Sequence, residues 1–124
     1  MTACIFCEPP EDRVFLRNAH AYAIWDAFPV CPQHALVIPH RHARDFFELS
    51  VEEVLACNDL LRSARELLVE QDPNIEGFNI GLNVGAAAGQ TVFHCHFHLI
   101  PRRQGDVDDP RGGVRHLIPG KGYY

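Results

Sequence analysis

The chain lacks a hydrophobic run long enough to cross a membrane, and its formal net charge is −5. A membrane-spanning helix needs about 20 apolar residues, so we expect no membrane partner. A negatively charged chain is poorly suited to follow the phosphate backbone of a nucleic acid, and no nucleic-acid partner is expected. Residues 1–13 also lack a basic stretch followed by an apolar one, so no secretory signal is predicted and a cytoplasmic location is expected.

The cysteine pattern does not indicate a disulfide framework, because the chain has five cysteines, an odd number, spread over its length. Cys31, Cys57 and Cys95 are interpreted as small buried apolar side chains. Cys4 and Cys7 differ, because a Cys-x-x-Cys spacing is typical of a redox pair or of a metal site. Two prolines follow this pair almost at once, where a thioredoxin-like motif needs a helix, so the redox alternative is disfavoured.

One long helix and several short strands are predicted in a chain without internal repeats. A capping box of Ser50 and Glu53 precedes apolar residues at helical spacing, which predicts a helix over about 51–71. Short apolar runs bounded by turn residues predict strands at 14–16, 21–25, 35–39, 78–83 and 91–101. Strands on both sides of a single helix predict an α+β fold with an antiparallel sheet.

The length and the tail bear on the domain organisation. A chain of 124 residues favours a single domain, residues 1–124. Its last part, about 104–124, is rich in glycine and proline and is predicted to be irregular. We expect this tail to lie over the surface or against a partner subunit.

Three histidines, His94, His96 and His98, alternate with apolar residues. Residues two apart in a strand share a face, so the pattern predicts three imidazoles on one side. Neighbouring imidazoles are then rooted about 6.6 Å apart, and one metal ion reaches two of them more readily than three. We therefore expect the histidines to divide their duties. A solvated strand face, the ligands of a catalytic zinc and nucleophilic catalysis on phosphorus are the three open interpretations.

Two neighbouring segments favour catalysis on phosphorus. The loop Gly85–Thr91 offers exposed N–H groups and glycines that let an anion approach the backbone. The segment Pro32–Pro39 places a further histidine, His34, at the head of a buried strand.

These segments together resemble a known family. His94–Ile100 matches the pattern His-φ-His-φ-His-φ-φ of the histidine triad (HIT) superfamily of nucleotide hydrolases and transferases. Gly89–Val92 is similar to its phosphate loop, Pro32–Pro39 to its P-x-H-x-L-V-I-P segment, and Cys4–Cys7 to the C-x-F-C start common in bacterial members. The resemblance runs from residue 4 to about residue 103 and implies a HIT-like fold, which adds a short helix to the predicted elements.

The resemblance also implies roles for single residues. His96 is the expected nucleophile, which attacks the α-phosphorus and forms a nucleotidyl-histidine intermediate. His98 is expected to contact the α-phosphate and help place the leaving group, and His34 to complete the histidine cluster. Asp26 is expected to bind the ribose hydroxyls, with a turn residue before Pro29 as the alternative. The residues expected around the substrate phosphates are Asn83, Gln90, Thr91 and Val92.

A structural zinc ion is the metal that the resemblance implies. Its expected ligands are Cys4, Cys7, His42 and His94, with His40 as a rival to His42 and a metal-free pair of buried thiols as the alternative. No organic cofactor is expected.

The expected substrate is a purine nucleoside phosphoramidate or a dinucleoside polyphosphate, cleaved at the α-phosphate to give an AMP-type product. The chain mixes features of both family branches, and a homodimer is the usual assembly of such proteins. Arg102, Arg103 and Arg111 are candidates for binding outer phosphates or, equally, form a solvated face. Two other functions stay open: a nucleotide-binding regulatory or interaction protein with little turnover, and a zinc-dependent hydrolase with the triad as ligands.

Overall fold

The part of the chain that the structure describes, residues 4–124 of a computed structural model, contains one antiparallel sheet and one long helix. The helix α1 spans Val51–Gln71. The sheet has the order β1-β2-β3-β5-β4. Its strands are β1 (Val14–Arg17), β2 (Ala21–Trp25), β3 (Ala35–Pro39), β4 (Ile75–Gly81) and β5 (Phe97–Arg103). The predicted α+β class, with an antiparallel sheet and a single long helix, is confirmed. Where one short helix was expected, the described residues contain short 3₁₀ segments, at Glu11–Arg13, Phe46–Glu48, Ala86–Ala88 and Gly113–Leu117.

The start of α1 follows the predicted capping box. The Ser50 hydroxyl accepts the N–H of Glu53 at 3.1 Å, and the Glu53 carboxylate accepts the N–H of Ser50 at 2.8 Å. Arg41 donates to both carboxylate oxygens of Glu53, at 2.9 and 3.0 Å, and this pairing lowers the pKa of Glu53 to about 2. The loop that carries Arg41 and His42 is thereby fastened to the first turn of the helix.

One face of the sheet is covered by α1. Residues two apart in each strand point to the same side, so Ala21 and Ala23 of β2 share this face with Val37 of β3. Their small side chains leave room for the helix to lie close to the sheet. The helix contributes the buried residues Ala56, Cys57, Leu60, Ala64 and Leu68.

The opposite face of the sheet carries the histidines. Phe97 and Leu99 face α1, so the residue between them, His98, points to the other side, opposite Leu36 in the register of β3 and β5. A second apolar cluster lies here, made of Tyr22, Ile24, Leu36 and Ile38. Phe6 and Val14 pack on this cluster, so the N-terminal segment covers part of the face.

The strand predicted at 91–101 begins and ends later in the structure, at Phe97–Arg103. Before Phe97 the chain does not pair with β3, because the N–H of Cys95 donates to the carbonyl of Ala43 at 2.7 Å. Pro101 does not end the strand. Its carbonyl accepts from the Cys31 thiol at 3.4 Å, on the side away from β4, so its missing N–H interrupts no bond to β4.

Two further features concern membranes and the tail. Among residues 4–124, α1 is the long helix, and it is not apolar enough to cross a membrane. Residues 104–124 contain the 3₁₀ turn Gly113–Leu117 and are otherwise irregular. Gly122 is buried directly against the ring of His116, which fixes the end of the tail to its own 3₁₀ turn.

Candidate functional site

The sequence predicted that the three histidines of the triad lie along one strand face, and in the structure they do not. Only His98 is in β5, while His94 and His96 lie in the segment before it. His94 is fully buried and its ring packs edge-on against the ring of His42, with centroids 4.9 Å apart. His96 and His98 are half-buried, with ring centroids 5.4 Å apart. The geometry therefore separates His94 from the other two.

The hydrogen bonds of His96 define which ring nitrogen carries the lone pair. Its Nδ1 lies 2.9 Å from the carbonyl oxygen of His94. A carbonyl oxygen can only accept, so Nδ1 of His96 carries the proton and donates it. In the neutral ring Nε2 then holds the lone pair, as a nucleophile requires.

A second set of hydrogen bonds joins His34 and His98. The N–H of Val30 donates to Nδ1 of His34 at 3.1 Å, so the neutral His34 ring carries its proton on Nε2. That nitrogen lies 2.9 Å from Nδ1 of His98 and 3.4 Å from a carboxylate oxygen of Asp26. His34 therefore donates to His98, and the proton of the neutral His98 ring is on its own Nε2, on the far side from His34.

Burial keeps this pair neutral. Burial lowers the pKa of His98 to about 4, and the neighbouring His96 and His34 add to the effect. Burial also lowers the pKa of His34, and the carboxylate of Asp26 opposes it. Both rings are consequently uncharged near pH 7, which agrees with the proton positions above.

Asp26 makes the turn interaction that was considered for it, and its second carboxylate oxygen lies near His34. One carboxylate oxygen accepts the N–H of Phe28 at 2.8 Å, which is the turn interaction expected of an aspartate before Pro29. The other oxygen faces His34. Ribose binding by Asp26 stays a prediction.

The glycine-rich loop is closed by the side chain of Gln90. This side chain is buried: its oxygen accepts the N–H of Gly85 at 2.9 Å, and its nitrogen donates to the carbonyls of Arg44 and Val92 at 2.7 and 3.1 Å. Gly85 and Gly89 have positive φ angles, of 89° and 92°, which other residues rarely adopt. Every polar group of the Gln90 amide thus has a partner within the protein, and its predicted contact with phosphate stays a prediction.

Asn83 and Thr91 flank this loop. Asn83 is half-buried and, with His98, lines a cleft of about 160 Å³. Apolar residues of the tail, Val114 and Leu117, form another part of its wall. Thr91 is exposed where the loop leads toward the triad.

The arginines near the tail differ in their surroundings. Arg102 donates to Asp106 at 2.8 and 2.9 Å, and Arg103 donates to Asp72 at 2.9 Å. These two guanidinium groups are held by protein partners, which favours a structural role over phosphate binding. Arg111 is exposed, and either interpretation stays open for it.

Cys4, Cys7, His42 and His94 form a cluster whose ligand atoms all lie within 4.8 Å of one another. Nδ1 of His94 lies 3.3 Å from the sulfur of Cys4 and 3.5 Å from that of Cys7, and Nδ1 of His42 lies 3.3 Å from the sulfur of Cys7. In a tetrahedral zinc site the bond lengths to sulfur and nitrogen put these atoms about 3.5 Å apart. The observed spacing fits such an ion.

The position of the ring proton on His94 also suits a metal ion at this cluster. Nε2 of His94 lies 2.7 Å from the carbonyl oxygen of Pro39, so Nε2 is the donor and Nδ1 directs its lone pair at the thiols. The rival residue His40 lies elsewhere: its Nε2 is 3.2 Å from the carbonyl of Asn18, and its ring stacks on Tyr22. These four residues are therefore able to hold a metal ion, with His42 rather than His40 among them.

A second group of side chains, formed by Asp26, His34 and His98, is close enough together to hold a metal ion. The positions of the ring protons in this group do not suit a metal ion. A metal would need the lone pair of His34 Nε2, which would move the proton to Nδ1. That proton would then face the N–H of Val30, 3.1 Å away. The arrangement fits a hydrogen-bonded histidine pair and disfavours a metal ion bound by these three residues.

Sequence reasoning missed several contributors to this site. The carbonyls of His94 and Pro39 and the N–H of Val30 set the proton positions, and main-chain groups leave no signal in a sequence. Phe6 was also missed, although it stands in the C-x-F-C motif. Its ring lies 5.0 Å from that of His96 between centroids.

Comparison with known proteins finds relatives over most of the chain. A family model described as HIT domain matches residues 9–105. An uncharacterized HIT-like protein of Saccharolobus solfataricus is 33% identical over 125 residues, which cover 98% of this chain and 89% of that protein. An adenosine 5′-monophosphoramidase of Schizosaccharomyces pombe is 36% identical over 104 residues, covering 81% of this chain and 74% of the relative.

Two further matches are informative. The asymmetrical bis(5′-nucleosyl)-tetraphosphatase of Schizosaccharomyces pombe is 35% identical over 103 residues, which cover 82% of this chain but only 55% of that longer protein. Among solved structures, a zinc-bound histidine triad family protein from Mycobacterium smegmatis superimposes with a TM-score of 0.76 at 33% identity. That match covers 84% of this chain and 78% of the other.

Proposed function

Because the chain belongs to the HIT domain family, we propose that it is a nucleotide hydrolase in which His96 attacks the α-phosphorus of a purine nucleotide. The substrate class is a nucleoside phosphoramidate or a dinucleoside polyphosphate, the two classes named in the relatives from Schizosaccharomyces pombe. The observation that carries the proposal is the hydrogen bond from Nδ1 of His96 to the carbonyl of His94, because it leaves a lone pair on Nε2.

The proposed reaction has two steps. Nε2 of His96 forms a bond to the α-phosphorus, and the bond from phosphorus to the leaving group breaks with its electron pair on the leaving group. Water then attacks the nucleotidyl-histidine, breaks the N–P bond and releases an AMP-type product. The water supplies a hydroxyl to phosphorus, and its remaining proton balances the one taken up by the leaving group.

The neighbouring residues have supporting roles in this proposal. His98 contacts the α-phosphate and helps place the leaving group, and His34 fixes the His98 ring through the 2.9 Å bond between them. Asp26 binds the ribose hydroxyls. Asn83, Thr91 and the main chain at Val92 surround the phosphates. The hydrogen bonds of Gln90 favour a role in shaping the phosphate loop.

We also propose that Cys4, Cys7, His42 and His94 hold a structural zinc ion. The spacing of the four ligand atoms supports this, as does the zinc-bound relative from Mycobacterium smegmatis. A closed set of four protein ligands leaves no position for substrate, so the zinc supplies stability rather than chemistry. No organic cofactor enters the proposal.

The remaining proposals concern the whole chain. We propose that residues 1–124 form one domain, that the protein is cytoplasmic, and that it assembles as a homodimer. β4 supports the dimer, because it is an edge strand of the sheet and Ile80 on it is 51% exposed. Light scattering on the purified protein would give the mass of the assembly, and a monomer at micromolar concentration would contradict the dimer.

The first experiment compares the turnover of diadenosine tetraphosphate and of an adenosine phosphoramidate. The proteins are the wild type, His96→Ala and the control His20→Ala, which changes an exposed histidine in the β1–β2 turn. We expect His96→Ala to lose about 10⁴-fold or more in kcat, since removal of a nucleophile leaves only binding effects. His20→Ala should retain wild-type rates.

A rescue experiment identifies the lost group. The space left in His96→Gly should admit free imidazole, and added imidazole should restore part of the turnover. If wild type binds purine nucleotides but cleaves neither substrate, the protein is a nucleotide-binding protein with little turnover. Wild-type rates in His96→Ala would show that another residue is the nucleophile.

A further inference from the structure

We propose that Phe6 is a positioning residue for His96, and that it connects the candidate metal site to the candidate nucleophile. The inference rests on the proposed function, because it concerns the residue proposed to attack the substrate. Phe6 lies between Cys4 and Cys7, two members of the metal-site cluster. Its ring lies against His96, which is not a member of the metal-site cluster.

The ring of His96 is held on two sides. The Phe6 ring meets it edge-on, with centroids 5.0 Å apart and an angle of 63° between the planes. His98 meets it at 5.4 Å and 68°. Edge-on contacts between aromatic rings are favourable at these separations and depend on orientation. Together they restrict rotation of the His96 ring, so that its Nδ1 stays at the carbonyl of His94.

Phe6 is itself fixed by two contacts of its own and by the turn that surrounds it. The hydroxyl of the buried Tyr22 donates to the carbonyl of Phe6 at 2.6 Å, and burial raises the pKa of Tyr22 above its usual range, so the hydroxyl keeps its proton. The N–H of Cys7 donates to the carbonyl of Cys4 at 3.2 Å, which closes the turn around Phe6. The side chains of the two cysteines reach His94, whose ring also meets Phe6 edge-on at 6.1 Å.

Loss of this contact has a definite chemical consequence. An imidazole that can rotate loses the bond from Nδ1 to the carbonyl of His94 and then exchanges its proton between both nitrogens. Nε2 is protonated for part of the time and cannot attack phosphorus in that form. The formation of the nucleotidyl-histidine should slow, while the binding of nucleotide changes little.

The kinetic test uses the zinc-loaded protein and four variants: Phe6→Leu, Phe6→Met, Phe6→Tyr and the control Ile5→Ala. Ile5 lies in the same turn, but its side chain is 60% exposed. At saturating substrate we expect Phe6→Leu and Phe6→Met to slow intermediate formation by about 10- to 100-fold, a range typical of small misplacements of reacting groups. The affinity for AMP should stay within about 2-fold. Phe6→Tyr keeps the ring and should retain the rate, as should Ile5→Ala.

A spectroscopic test is independent of turnover. The ¹⁵N chemical shifts of the His96 imidazole report which ring nitrogen carries the proton. We expect the proton on Nδ1 in wild type, Phe6→Tyr and Ile5→Ala. In Phe6→Leu and Phe6→Met we expect a substantial share on Nε2. Metal content and Tm, measured on each variant, identify the variants that keep the fold and the zinc. Phe6→Met, whose unbranched side chain adapts to irregular space, is the second variant if Phe6→Leu does not fold.

The outcomes separate the two proposals. If wild type turns over neither substrate, the proposed function fails, and the ¹⁵N shifts still decide whether Phe6 fixes His96. If the shifts of the folded Phe6 variants match wild type, the positioning role is wrong. An unchanged rate of intermediate formation with a weaker affinity for AMP would also overturn it, because Phe6 would then bind substrate.

Discussion

At the scale of single residues, the site depends on where four imidazole protons lie. His96 and His94 each donate one ring proton to a main-chain carbonyl, and this leaves a lone pair on the other nitrogen for the proposed attack on phosphorus and for the proposed metal ion, respectively. His34 receives an N–H from the main chain instead and passes its own proton to His98. Main-chain groups thus determine, for each of these histidines, which ring nitrogen carries the proton and which keeps the lone pair.

The neutral state of His98 predicts how stability depends on pH. Its pKa is about 4 when folded and about 6.5 when unfolded, so the unfolded chain binds more protons as the pH falls below 6.5. The free energy of unfolding therefore falls between pH 6.5 and pH 4. From pH 7 to pH 5 this group alone should remove about 2 kcal/mol.

The variant His98→Asn isolates this contribution. Asparagine keeps an acceptor for the proton of His34 but does not titrate. Denaturant unfolding at pH 7 and pH 5 should show the wild type losing about 2 kcal/mol more than the variant. Equal losses would mean that His98 does not stay neutral in the folded protein.

How far the sequence predicts single residues depends on the kind of contact. The four residues of the metal cluster were named from the resemblance, because spacing and residue type carry that information. His42 was the expected ligand with His40 as its rival, and the structure favours His42, because its ring lies in the metal cluster while the ring of His40 lies at Asn18 and Tyr22. The contact between Phe6 and His96 joins residues 90 positions apart and leaves no local pattern.

At the scale of elements, α1 was predicted to the residue and β5 was not. The helix begins at a capping box, in which residues three positions apart interact, so its start is a local property. The start of β5 depends on the bond from Cys95 to Ala43, which a sequence pattern cannot show. The alternating pattern 93–99 begins four residues before the strand does, and the predicted common face of the three histidines was wrong for that reason.

The capping box of α1 gives a prediction at this scale. Ser50→Ala removes the acceptor for the N–H of Glu53 and should lower the free energy of unfolding by about 1 kcal/mol. The control is Ser63→Ala, which changes an exposed serine in the middle of the same helix and should be neutral or slightly stabilising. Urea denaturation of both variants measures the difference, and equal values would show that the cap contributes nothing.

At the scale of the whole molecule, a zinc ion would join the N-terminal turn, the loop after β3 and the segment before β5. We expect one zinc per chain in wild type and in His40→Ala, and none after His42→Ala. A chelator should lower the Tm of wild type, since a ligand present at 1,000 times its Kd contributes about 4 kcal/mol. Elemental analysis of the three proteins provides the measurement. Zinc retained by His42→Ala and lost from His40→Ala would reverse the assignment.

The contact between Cys4 and His94 also has a consequence for the order of folding. These residues are 90 positions apart, so the loop that they close contains most of the chain. Closing so long a loop costs conformational entropy, and it becomes favourable only once β2, β3 and β5 have already brought the ends together. A metal ion that is bound by this cluster therefore binds late in folding, when the sheet has already formed. It should therefore slow unfolding while leaving the rate of folding almost unchanged.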